Sequence, residues 1–167
     1  MMVASFWSRR GLCAAVLGLC AAACSSEVPT GPREGKRSPR FSIATLDGGS
    51  ASLTLEDARP SLVVFWASWC GPCRREATEV AEIVQSYGDR LQVVSINSGE
   101  DTTKVKLAAR EWGMTWPVGL DPQGTVSRTF EVDALPLVLV IDRDGMVRFR
   151  GNGLPSDAHR LLDGLAG

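Results

Sequence analysis

The stretch from residue 62 to residue 73 constrains this chain more than any other. Leu62, Val63, Val64, Phe65 and Trp66 form an apolar run of β-favouring residues, which reads as a buried strand. It leads into Cys70, Gly71, Pro72 and Cys73, and a helical period starts directly behind them. Ala77, Val80, Ala81, Val84 and Tyr87 recur at i, i+3, i+4, i+7 and i+10, with polar and charged residues between. Both cysteines therefore sit at a strand-to-helix junction, at the N-terminal end of a helix. Unpaired N–H groups and the positive end of the helix dipole favour a thiolate there. Such placement lowers a cysteine pKa from about 8.5 to between roughly 3.5 and 7.5. Gly71 and Pro72 make a turn short enough to let the sulfurs bridge.

The segment Phe65, Trp66, Ala67, Ser68, Trp69, Cys70, Gly71, Pro72, Cys73 and Arg74 resembles the active-site segment of thioredoxin-like proteins. It is most similar to the TlpA/ResA type of extracytoplasmic thiol-disulfide oxidoreductase. That resemblance implies an α/β, thioredoxin-like fold: a central mixed sheet flanked by helices, with an N-terminal hairpin and a central strand-helix insert. Two other readings of the cysteine pair are weaker. A structural bridge closing so short a loop gains little, because loop-closure stabilisation grows with loop length. A structural zinc needs four ligands, and the mature chain adds only Cys24 and His159. No metal is expected, and no cofactor beyond a redox-active Cys70–Cys73 disulfide.

The N-terminus looks like a targeting segment. Arg9 and Arg10 precede an apolar run over 11–23, which is shorter than the roughly 20 residues a membrane span takes. Small residues at 21–23 before Cys24 resemble a bacterial lipoprotein signal, although Ala21 stands where a larger aliphatic is usual. The preferred reading is a signal peptide over 1–23 with Cys24 lipidated; ordinary cleavage and an uncleaved anchor are the alternatives. Residues 24–40 hold several prolines and glycines without periodicity and read as a flexible tether. The folded domain is then 41–167. A net charge of −1 and the lack of a basic cluster argue against nucleic acid. An exported setting lets disulfides persist.

Along that domain, 41–46 and 51–55 alternate about a turn at 47–50, a hairpin. Gly88 and Asp89 end the first helix, and 91–96 is the next buried strand. Asp101 is a candidate cap for a helix with Val105, Ala108, Ala109 and Trp112 on its apolar face, closed by Gly113. A strand at 116–120 and a helix at 123–130 follow. Residues 137–141 and 146–150 make a second hairpin. Ser156 is placed as the cap of a last helix, with Ala158, Leu161, Leu162 and Leu165 inward. Alternating strands and helices give a sheet covered on both faces.

Further implications come from the resemblance alone. The segment 132–145 matches a family stretch whose proline, here Pro136, is cis and faces the disulfide. A cis bond would turn the Leu135 backbone toward a substrate strand, although Thr or Val is common where Leu135 stands. Cys70 would be the exposed nucleophile beside Trp69, and Cys73 the buried resolving thiol. Glu76 matches an acidic position thought to tune the thiols; read on its own it is a solvated helix residue beside arginines. Val64 replaces the buried acid of thioredoxins, and Thr78 replaces a helix-kinking proline. Trp66, Trp112 and Trp116 are expected in the core, Trp69 as a partly exposed wall, and His159 on the surface.

The implied function is reduction of disulfides in exported proteins, such as apocytochrome c or copper-site cysteines. The implied partners are those proteins and a membrane-embedded electron donor, and the protein would be a lipid-anchored monomer on the periplasmic side. A peroxiredoxin would need a threonine three residues before its cysteine, and a copper chaperone a different cysteine spacing. A non-catalytic binding module would not need both thiols.

Overall fold

A computed structural model describes residues 28–53 and 59–167. The expected signal peptide over 1–23 and Cys24 lie outside the described residues. The chain forms β1 (Phe41–Ala44), β2 (Ser50–Leu53), β3 (Ser61–Trp66), α1 (Gly71–Tyr87), β4 (Gln92–Ser98), α2 (Thr102–Glu111), β5 (Val118–Asp121), α3 (Thr125–Thr129), β6 (Leu137–Ile141), β7 (Val147–Gly151) and α4 (Ala158–Ala166). The main sheet has the order β5-β4-β3-β6-β7. β3, β4 and β5 run parallel, whereas β6 and β7 are antiparallel to their neighbours. The mixed α/β sheet flanked by helices is therefore as expected.

The apolar run of β3 explains its central place. All six of its residues are buried, as a strand covered on both faces requires. Its odd and even positions serve different layers. Val63 and Phe65 pack with Phe41 and Ile43 of the first hairpin and with Phe130 after α3. Leu62 and Val64 pack with Val80 and Ile83 of α1 and Leu162 of α4. The β3-α1-β4 and β4-α2-β5 crossovers step in the same direction along the sheet. Both helices therefore lie on one face, and Trp66, Cys70 and Cys73 share a cluster with Val105 and Ala109 of α2.

The N-terminal hairpin is a separate two-stranded sheet, tied to β5 by the Thr45↔Gly119 bridge. A Cβ on Gly119 would sit 2.8 Å from Ile43 Cγ2, so β5 accepts the hairpin only because no side chain stands there.

Four local expectations need correction. The buried stripe of α1 is Cys73, Glu76, Ala77, Val80, Ile83 and Tyr87, so Ala81 and Val84 lie at its margin and a carboxylate lies within it. The expected tether is not free throughout. Gly35 N donates to Val147 O, Ser38 N to Gly145 O and Val147 N to Lys36 O, each within 2.9 Å, so residues 35–38 run along the second hairpin. Ser156 does not cap α4: Asp157 occupies that position, and Ala158 N donates to Pro155 O instead. α3 spans only Thr125–Thr129, because Asp121 draws in its first turn by accepting from Val126 N and Ser127 N. Asp101 caps α2 as expected, accepting from Thr103 N and Lys104 N at 3.1 Å.

Candidate active site

β3 ends at Trp66 and α1 begins at Gly71, leaving four residues to turn the chain from sheet to helix. Cys70 is the N-cap of α1 in an extended conformation, and Pro72 falls in the first turn, where its missing N–H costs nothing. The Cys73 N–H donates to Cys70 Sγ at 3.2 Å. One orphan donor of the helix end is thus aimed at the first sulfur, an arrangement that stabilises negative charge there. The two sulfurs are joined as a disulfide.

Cys73 is 2 % exposed, in keeping with a buried second thiol, but Cys70 is only 4 % exposed. The expected exposed nucleophile is therefore covered over most of its surface in this disulfide state. Leu135 packs against the cluster that holds both cysteines. Trp69 is the reverse: at 74 % exposed it lines the edge of a cleft that Cys70 also borders. Trp66 and Trp116 are in the core as expected, while Trp112 lies half-buried with its ring against Trp66, centroids 4.9 Å apart. His159 is exposed.

The Leu135–Pro136 bond is cis, Pro136 is buried and Leu135 half-buried. The β6 ladder starts only at Leu137, so Leu135 precedes the paired strand. The structure thus brings Leu135 to the cysteines and places Trp69 on the Cys70 side of the junction.

Glu76 is not a solvated helix residue. It is 9 % exposed and accepts a hydrogen bond from Leu154 N through Oε1. The loop after β7 closes over it at Gly153, whose φ of 128° suits glycine and whose Cβ position would lie 3.4 Å from Glu76 Oε2. Burial pushes the Glu76 carboxyl above its ordinary value; the Leu154 N–H acts against that shift, and the Glu79 charge adds to it.

Sequence reading missed the group that holds the junction itself. Glu100 accepts from Ser68 N and Ser68 Oγ, both at 2.6 Å, and from Asn97 Nδ2 at 2.8 Å. One carboxylate from the β4–α2 loop therefore fixes both donors of the residue two before Cys70. Burial by itself would raise the Glu100 carboxyl, but the donations from Asn97 and Ser68 and the Lys104 charge outweigh it and hold the pKa below its ordinary value. Ser68 between two tryptophans and Glu100 after a glycine carry no motif; only the fold brings them together. Among the described residues no group of three or more His, Cys, Asp or Glu side chains is placed to hold a metal ion.

A dithiol–disulfide pair at a helix N-terminus is chemistry for thiol–disulfide exchange. Comparison with known proteins agrees. The Redoxin family profile matches residues 33–162. The chain is 32% identical over 126 residues to the thioredoxin-like protein YneN of Bacillus subtilis, covering 74% of each chain. It is 30% identical over 115 residues to the thiol-disulfide oxidoreductase ResA of Geobacillus thermodenitrificans, covering 68% of this chain and 66% of that one. Among solved structures, a Chlorobium tepidum protein described as a thiol:disulfide interchange protein DsbE superposes with a TM-score of 0.70 at 26% identity, over 78% of this chain and 96% of that one. A thiol-disulfide oxidoreductase from Bacteroides fragilis shares the fold with a TM-score of 0.69 at 21% identity, over 78% of this chain and 99% of that one. The chain belongs to the Redoxin family and is a thioredoxin-like thiol-disulfide oxidoreductase of the ResA type.

Proposed function

We propose that this protein reduces disulfides in exported proteins, with Cys70 as nucleophile and Cys73 as resolving thiol. The observation that carries the assignment is the Cys73 N–H aimed at Cys70 Sγ from the first turn of α1. In the reduced protein the Cys70 thiolate attacks one sulfur of a substrate disulfide. A mixed disulfide forms and one substrate thiolate leaves. Cys73, as thiolate, then attacks Cys70 Sγ, releasing the second substrate thiol and closing the Cys70–Cys73 bridge. Two electrons pass to the substrate, and a donor embedded in the membrane restores the dithiol. No cofactor takes part.

Trp69, Leu135 and Pro136 are assigned to holding the substrate strand. Packing of half-buried Leu135 against the cysteine cluster and exposure of Trp69 next to Cys70 support that assignment. Glu76 is assigned to tuning the thiols, supported by its position one turn beyond Cys73 and by its burial. The apolar run at 11–23 and the small residues before Cys24 support export and lipid anchoring. We assign the protein to the periplasmic side of a bacterial membrane, as a monomer whose substrates include cysteine pairs of apocytochrome c or of copper sites.

The deciding measurement is the reduction potential of the Cys70–Cys73 couple, paired with trapping by C73S. A reducing potential near −270 mV or below supports the reductase direction. A value near −120 mV reverses it. C73S should accumulate mixed disulfides through Cys70, and C70S should not; equal trapping by both variants removes the assigned roles.

A further inference from the structure

Large apolar side chains left in water are a cost unless something covers them. Among the described residues three stand exposed: Val28, Trp69 and Leu107. Trp69, in the junction, and Leu107, at 65 % exposed on α2, line one cleft of about 410 Å³. Its lining includes Cys70, Trp112 and Ala108. Trp112 is braced by its contact with Trp66, so that side of the cleft is stiff. Leu135 and Pro136 are not part of this cleft; it lies on the α2 side of the cysteine.

We propose that this cleft is a specificity subsite, taking a large apolar side chain that flanks the target cysteine of a substrate polypeptide. The proposal rests on the exchange reading above, because the occupant is fixed by continuity: whatever chain joins its sulfur to Cys70 must lay its neighbouring residues against the same wall. Charge does not select the occupant. Arg74 already meets Glu111 at 2.9 Å, and Lys104 stands 3.7 Å from Asp101, exposed pairs that contribute little. The volume of about 410 Å³ leaves room for one large side chain. Discrimination comes from apolar area covered between Trp69, Leu107 and Trp112.

The test uses the reduced full-length protein in single-turnover exchange with two disulfide-bonded peptides, one carrying Phe on each side of the cysteine and one carrying Ser there. The wild-type protein should react roughly tenfold faster with the Phe peptide, and the ratio should survive high salt. Leu107→Gln, on an exposed helical position that tolerates glutamine, should bring the ratio close to one, and Leu107→Met should restore it. A wild-type ratio of one, a ratio abolished by salt, or a ratio unmoved in Leu107→Gln overturns the subsite alone. No exchange with either peptide in the wild-type protein overturns the exchange reading and the subsite with it.

Discussion

Glu76 and Glu100 are both drawn out of bulk water, yet their surroundings push them in opposite directions. Glu76 has one N–H donor against its burial and a like charge nearby, so its carboxyl titrates above the unfolded value of 4.5. Folding then favours the protonated form. Its contribution is fully present below the unfolded pKa and is lost as pH rises from 4.5 through the folded value. Glu100 gathers three hydrogen bonds and a cation, and its pKa is held below 4.5. Its contribution is present above the unfolded pKa and disappears as pH falls through the folded value. Denaturant midpoints taken between pH 3 and 8 should separate them. E76Q, which keeps an acceptor for Leu154 N, should flatten the decline on the rising side. E100Q should remove the loss on the acid side. E100A leaves the Ser68 and Asn97 donors without an acceptor and should cost about 1–3 kcal/mol at neutral pH. If either glutamine variant keeps the wild-type slope, the assigned environment is wrong.

Between elements, the first hairpin comes close to β5 at Gly119. Hairpin and sheet are joined by the Thr45↔Gly119 bridge, by Leu46 N donating to Val118 O and by Gln92 Nε2 donating to Ser52 O, and Phe41, Ile43, Ala51 and Leu53 all enter the core cluster behind β3. Gly119 is where the backbones come close. G119A should destabilise the protein by about 1–3 kcal/mol through overpacking against Ile43. Pairing G119A with I43V, which removes one methyl from the contact, should recover part of that loss. An unchanged midpoint in G119A would mean that the hairpin rides loosely on the sheet.

Across the whole molecule, the chain before β1 belongs to the folded body from about Arg33 onward, where Arg33 meets Glu131 and Glu34 accepts from Arg150 N. Residues 35–38 make three backbone hydrogen bonds with Gly145 and Val147, and Arg37 donates a further bond to Asp144 O. Removing residues 1–27 should leave the thermal midpoint where it is. Removing 1–40 should lower stability by about 2–4 kcal/mol, at roughly 1 kcal/mol for each hydrogen bond lost. Equal midpoints for the two truncations would return 35–38 to the tether.

Much of this was legible in the residues themselves. The apolar run of β3, the turn chemistry of Gly71 and Pro72 and the period of α1 are local signals, and local signals are enough to place two cysteines at a helix start. Asp101 as a cap and the second hairpin were legible for the same reason. Some features belong to the tertiary structure because they join residues far apart in sequence. Ser68 meets Glu100 across 32 positions that include α1 and β4, and Glu76 meets Leu154 across 78. Leu135, from a segment far along the chain, packs against the cluster that holds Cys70. Trp69 and Leu107 line one cleft only because two successive crossovers put α1 and α2 on the same face of the sheet. Periodicity and turn propensity report what a residue does to its own segment; which side chains then close over the sulfurs is decided when the layers pack.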